Sequence, residues 1–174
     1  KEEFDDPQAE KDFGFLQELV RMIRTLRSEC TVNPDKKIRA LVRIAGGGRA
    51  AFLKENAELV KLLAGLSGLE IAAAQAGSAA EPAEAKPTGS IGLAGAGFEA
   101  FVYIADAVEI GALRQKFAKE IEKDRKFIAV LQSKLANENF LKNAPQELVN
   151  GEKQKLKEVL ERNGKLESWL RDMA

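Results

Sequence analysis

The chain has 174 residues, with no histidine and a single cysteine, Cys30. One cysteine excludes an internal disulfide framework and makes a reducing compartment, the cytoplasm, the default expectation. No apolar run approaches the roughly 20 residues needed to span a bilayer, and no signal-peptide pattern opens the chain. Net charge is also absent, because 27 basic and 27 acidic side chains cancel; nothing global announces a polyanionic partner. The run Gly46-Gly47-Gly48 has neither the Lys and Ser/Thr spacing of a phosphate loop nor the dinucleotide fingerprint. It reads as a flexible connection between a strand and a helix. No metal or cofactor constellation is visible. The first residue is Lys1 rather than Met, and a helix is under way within a few residues, which reads as an excised piece of something longer.

What is present falls into three textures. Residues 1–36 carry Phe15, Leu16, Leu19, Val20, Ile23 and Leu26 at helical spacing, and Asn33-Pro34 ends the pattern. Arg21, Arg24 and Arg27 follow one flank of that stripe, either as a solvated edge or as a basic face toward phosphate. Residues 37–108 read as a small α+β unit. IRALVRIAG is strand-like, AAFLKENAELVKLLAGL suits a helix of about four turns, and LEIAAA is a second strand. SIGLAGAGFEAFVYIAD gives two more strands joined near Gly95 to Gly97. Four strands with one covering helix form a minimal sheet-and-helix layer pair. Residues 75–89, rich in Ala, Pro and Gly without an apolar period, suit a mobile surface loop.

Residues 109–174 differ again. From Ile110 to Ala174 there are 14 Lys and Arg against 10 Asp and Glu, whereas the remainder of the chain holds 13 against 17. Phe117, Ile121, Asp124, Ile128, Leu131 and Leu135 alternate by four and three; Leu156, Val159, Asn163, Leu166, Leu170 and Met173 alternate by three and four. Both are coiled-coil seams. Pairing 117 with 170, 121 with 166, 128 with 159 and 131 with 156 keeps the sum of residue numbers at 287, as an antiparallel hairpin requires. That register sets Asp124 opposite Asn163, a polar layer that penalises slippage at a cost in stability. The midpoint falls between Asn143 and Ala144, so Asn143 or Ala144 is expected to cap the second helix with Pro145 near its first position. Phe140 and Leu141 are expected to close the apolar end. Two helices of roughly 25 residues make an arm close to 40 Å long, too long to be explained by local stabilisation alone.

The stretch KLANENFLKNAPQELVNGEKQKL, residues 134–156, closely resembles the C-terminal coiled-coil arm of bacterial valyl-tRNA synthetases. FVYIADAVEIGALRQKFAKEIEKD, residues 101–124, resembles the segment leading into that arm. LVRMIRTLRSECTVNPDKKI, residues 19–38, resembles the closing helix of the family's anticodon-binding bundle, with its core at Ile23, Arg24, Arg27 and Glu29. Asn143 departs from the pattern, where a Lys is expected.

The resemblance implies an α+β piece with three parts: a remnant helix of an α-helical bundle, a small sheet with one covering helix, and a long antiparallel two-helix hairpin. The parent would be a class I ligase that joins valine to its tRNA with ATP. Neither the histidine-containing nucleotide signature nor the KMSKS loop of that class is present here, so no catalysis and no cofactor is expected of this piece; ATP belongs to the parent. The implied partner is valine tRNA, reached at the outer corner of its L shape, where RNA is read by shape, phosphates and stacking. No DNA or membrane partner is implied. Lys116, Lys119, Lys123, Lys126, Lys153 and Lys157 are the candidate phosphate contacts on the arm, with Arg24 and Arg27 on the bundle remnant. Trp169 is expected to pack against the first arm helix or the small domain. The alternative reading is a coiled-coil docking rod or spacer with no RNA binding of its own. A monomer is expected, with self-association through the cut first helix as an artefact.

Overall fold

A computed structural model of the chain describes residues 7–45, 47–74 and 86–174. It divides into two compact units, Lys1–Glu109 and Ile110–Ala174. The first is α+β. Helix α1 spans Pro7–Glu29, followed by strand β1 (Ile38–Ala45), helices α2 (Gly47–Glu55) and α3 (Ala57–Ala64), and strands β2 (Leu66–Ala74), β3 (Ile91–Gly95) and β4 (Phe98–Tyr103). A single 3-10 turn, Ile104–Asp106, closes the unit. The four strands form one mixed sheet in the order β2-β1-β4-β3. β1 runs parallel to β2 and antiparallel to β4, and β3 and β4 form a hairpin. Gly97 occupies the turn with φ of 80°, a conformation that costs glycine nothing.

Alternation along β1 buries Ile38, Ala40, Val42 and Ile44, the period-2 pattern of a half-covered sheet. Leu19, Ile23 and Leu26 of α1, Leu53 of α2 and Val60 of α3 are fully buried. Phe15 meets Phe98 edge to face at 5.1 Å between ring centres. Where one helix of about four turns was expected, there are two. Asn56 interrupts the run with φ −102° and ψ 13°, and its side-chain amide donates to the Phe52 carbonyl at 2.9 Å. This is the local competition with the backbone ladder that makes Asn a poor interior residue. Of the loop expected over residues 75–89, residues 75–85 lie outside the described residues, as does Gly46.

Arg27 is the main correction in this unit. It was a candidate phosphate contact, yet it is buried. Its guanidinium donates to four backbone carbonyls: Gly65 at 2.9 Å, Lys36 at 2.8 Å, Asn33 at 3.3 Å and Pro34 at 3.4 Å. Burial pulls its pKa below the usual arginine value. The side chain closes the segment after α1 onto the left-handed cap of α3 at Gly65, a structural role that accounts for its guanidinium. Arg24 is exposed and borders an open groove of about 380 Å³ between α1 and α3, with Phe13, Val20, Leu59 and Leu63 on its walls.

The second unit consists of α4 (Ile110–Ala136), the short α5 (Glu138–Asn143) and α6 (Gln146–Asp172). Among the described residues no helix is long and apolar enough to cross a membrane.

Candidate nucleic-acid interface

The core of the second unit is a seam between its two long helices. α4 buries Leu113, Phe117, Ile121, Asp124, Ile128 and Leu131, and α6 buries Val149, Glu152, Asn163, Leu166 and Trp169. Contacts join early α4 to late α6 and late α4 to early α6, so the helices run in opposite directions. The Phe117 and Trp169 rings lie 5.9 Å apart, Asp124 meets Arg162, and Lys134 meets Glu152 at 3.4 Å. The numbers in each of these pairs sum to 286, one less than the apolar pattern indicates. On α6 the contacting side chains are Trp169 and Arg162, each one position before the expected Leu170 and Asn163. A large ring and a long guanidinium reach α4 from the flank, and Leu156, Val159 and Leu170 are left half-buried.

The polar layer differs accordingly from the expected Asp124–Asn163 pair. Asp124 is buried and receives a fork from Arg162, with Nε 2.9 Å from Oδ2 and Nη2 bonded to Oδ1. Asn163 instead donates through Nδ2 to the Ile121 carbonyl at 3.1 Å. A single amide cannot satisfy both oxygens of a buried carboxylate or balance its charge, whereas a bidentate guanidinium does both. Nearer the tip, Glu152 is buried in the seam between Lys155 at 3.3 Å and Lys134 at 3.4 Å. The hydrogen bond from Lys155, reinforced by Lys134, holds its carboxyl below the usual range. The Lys134 ammonium in turn sits 5.0 Å from the centre of the Phe140 ring, within cation–π range.

The turn contains a short helix of its own, α5, between the two long helices. Asn137 caps α5, its side-chain oxygen accepting from Asn139 N at 3.0 Å and Phe140 N at 3.2 Å. A helix N-cap with an acid in the first turn is a legible signal, here obscured by the brevity of the segment. The expected cap of the second long helix shifts as well: Ala144 is extended (φ −78°, ψ 146°), Pro145 is the cap residue and Gln146 opens α6. Pro145 is itself extended (φ −54°, ψ 139°) and its carbonyl accepts from Leu148 N at 3.0 Å and Val149 N at 3.2 Å, so the cap falls just after Asn143 and Ala144. Phe140 is half-buried, but Leu141 is exposed and does not close the apolar end.

The six candidate lysines separate into two groups. Lys119, Lys123 and Lys126 are exposed, Lys116 is half-buried, and at about 100° per residue all four fall on one side of α4. Lys126 is paired with Glu122 at 2.8 Å. Lys153 and Lys157 lie on the opposite flank of the seam, which Arg125 and Glu167 bridge at 2.7 Å; Lys157 stands 4.0 Å from Glu161. Lys134, Lys155 and Arg162 lie outside the six expected lysines, and their side chains share the Lys123 side of the arm.

Comparison with known proteins gives this geometry a context. Residues 109–174 match the family described as the valyl tRNA synthetase tRNA binding arm. Along nearly its whole length the chain is similar to valyl-tRNA synthetases. It is 42% identical over 173 residues to the valine–tRNA ligase of Treponema denticola, covering 99% of this chain and 18% of that protein. It is 33% identical over 163 residues to that of Nitratidesulfovibrio vulgaris, covering 94% and 17%. The Treponema pallidum enzyme is 29% identical over 182 residues, covering 97% and 18%. The chain thus spans less than a fifth of the length of these relatives, and it corresponds to the family's C-terminal region.

Proposed function

We propose that this chain is the tRNA-binding C-terminal part of a valine–tRNA ligase, and that α4 and α6 form an antiparallel coiled-coil arm that contacts the outer corner of valine tRNA. The full enzyme would use ATP to join valine to that tRNA, with its catalytic groups outside this chain. The observation that carries the reading is the match of residues 109–174 to a tRNA-binding arm. It coincides with the segment that concentrates basic residues and has a single continuous seam. The polar layer at Asp124 and the carboxylate at Glu152 favour one register, which suits a rod that must place its tip at a fixed reach.

Binding of valine tRNA and of an unrelated tRNA, at two salt concentrations, tests the reading in the intact chain and in a variant with residues 137–143 replaced by a short turn. Affinity that falls with salt and with loss of the tip is the expected result. A docking rod for proteins is the second reading, favoured by exposed Leu141, Leu148 and Leu160. It predicts no tRNA binding even at low salt.

A further inference from the structure

Around α4, Lys123, Phe127, Val130 and Lys134 fall within roughly 60° of one another. Phe127 is 45% exposed and Val130 62% exposed, and neither belongs to the seam. They stand between two lysines on the side that also presents Lys116, Lys119 and Lys126. The line continues to the tip through Lys134 and the Phe140 ring beneath its ammonium. Arg162 and Lys155 approach the same side from α6 through their pairs with Asp124 and Glu152. From mid-shaft to tip, the order is therefore cation, aromatic ring, aliphatic side chain, cation, aromatic ring. The opposite flank of α4 carries Ala118, Ala129 and Ala136 at comparable positions; its neighbour on α6, Leu160, is also 45% exposed but is not aromatic.

We infer that this side of the arm is the RNA-bearing face and that Phe127 stacks on an unpaired base, with Lys123 and Lys134 on the flanking phosphates. This deepens the tRNA-binding reading and rests on it. Charge complementarity and alternation of rings with cations favour nucleic acid over a protein helix, because a base offers a flat π-face at each phosphate step. The face is also continuous with the tip at Phe140. Lys153 and Lys157, on the other flank, stay in solvent.

The test uses the whole chain and fluorescently labelled valine tRNA. Replacing one stacked ring weakens binding on the order of tenfold, so Phe127→Ala is expected to lose roughly that factor, while Leu160→Ala, equally exposed on the other side, binds like the unaltered chain. Circular dichroism checks that both variants fold. Phe127→Trp supplies a second readout: its fluorescence is quenched when tRNA is added, and that of Leu160→Trp is not. Equal affinities for Phe127→Ala and Leu160→Ala, with tRNA still bound, would overturn the face assignment and leave the tRNA reading standing. An unaltered chain that binds no tRNA would overturn both.

Discussion

Arg162 of α6 reaches across the seam to the buried carboxylate of Asp124 on α4, placing Nε 2.9 Å from Oδ2. The pair is asymmetric, since Asp124 is buried whereas the Arg162 side chain is about half exposed, at 53%. Removing the arginine strands a buried carboxylate, at a cost of about 1–3 kcal/mol. Arg162→Met should therefore destabilise the arm by that amount, as measured by urea unfolding followed through the helical signal. The double variant Asp124→Leu/Arg162→Met should recover most of the loss. A double variant as unstable as the single one would contradict the account.

Glu152 supplies a pH dependence. Lys155 and Lys134 depress its folded-state pKa, so its contribution is complete above the unfolded value of about 4.3 and disappears as pH falls through the lower folded value. The arm of the Glu152→Gln variant should be less stable than the parent near neutrality and should converge with it on acidification. Parallel stability curves down to about pH 3 would show that the carboxylate is not stabilised by these lysines.

The period of three and four made the seam legible, because apolar side chains at that spacing have one packing solution. On α6 the pattern put Asn163, Leu166 and Met173 in the seam, where they are buried, but it counts apolar positions and cannot weigh the reach of Trp169 and Arg162 from the flank. Glu152 was invisible to the same logic: a buried carboxylate breaks an apolar pattern, and its lysine partners sit three residues away and across the seam. In the other unit, the strands followed from alternation and turn glycines. Arg27 was misread because its partners are carbonyls, which sequence does not advertise, and one of them belongs to Gly65, 38 positions away. The break at Asn56 rests on one side-chain hydrogen bond inside an otherwise continuous helical pattern.

Arg27 gives a prediction that separates a structural role from an RNA contact. Hydrogen bonds from a charged donor are worth about 1.5–3 kcal/mol, and four carbonyls lose theirs in Arg27→Met. The sheet amides should then exchange faster with solvent, with tRNA affinity unchanged at a temperature where the chain remains folded. Lost affinity without lost protection would restore Arg27 as a phosphate contact.

Thr31 ends α1 with φ of 54°. Thr31 N bonds the Ser28 carbonyl at 3.0 Å, and Val32 N bonds that of Arg27 at 2.9 Å, the pairing of a Schellman cap. A left-handed conformation costs a β-branched residue about 1–2 kcal/mol that glycine avoids. Part of that gain is offset by the greater freedom of glycine in the unfolded chain. Thr31→Gly should raise the thermal midpoint of the α+β unit; a lowered midpoint would show that the Thr31 side chain contributes more than its backbone costs.

The most direct test of the tRNA-arm account is the slope of log affinity for valine tRNA against log salt concentration, for the whole chain and for a variant with Lys116, Lys119, Lys123 and Lys126 changed to Gln. Each phosphate contact contributes roughly 0.7–0.9 to that slope. The account predicts a steep slope for the parent and a slope shallower by about two to four in the variant. Equal slopes and equal affinities would contradict it, because the lysine side of α4 would then carry none of the binding.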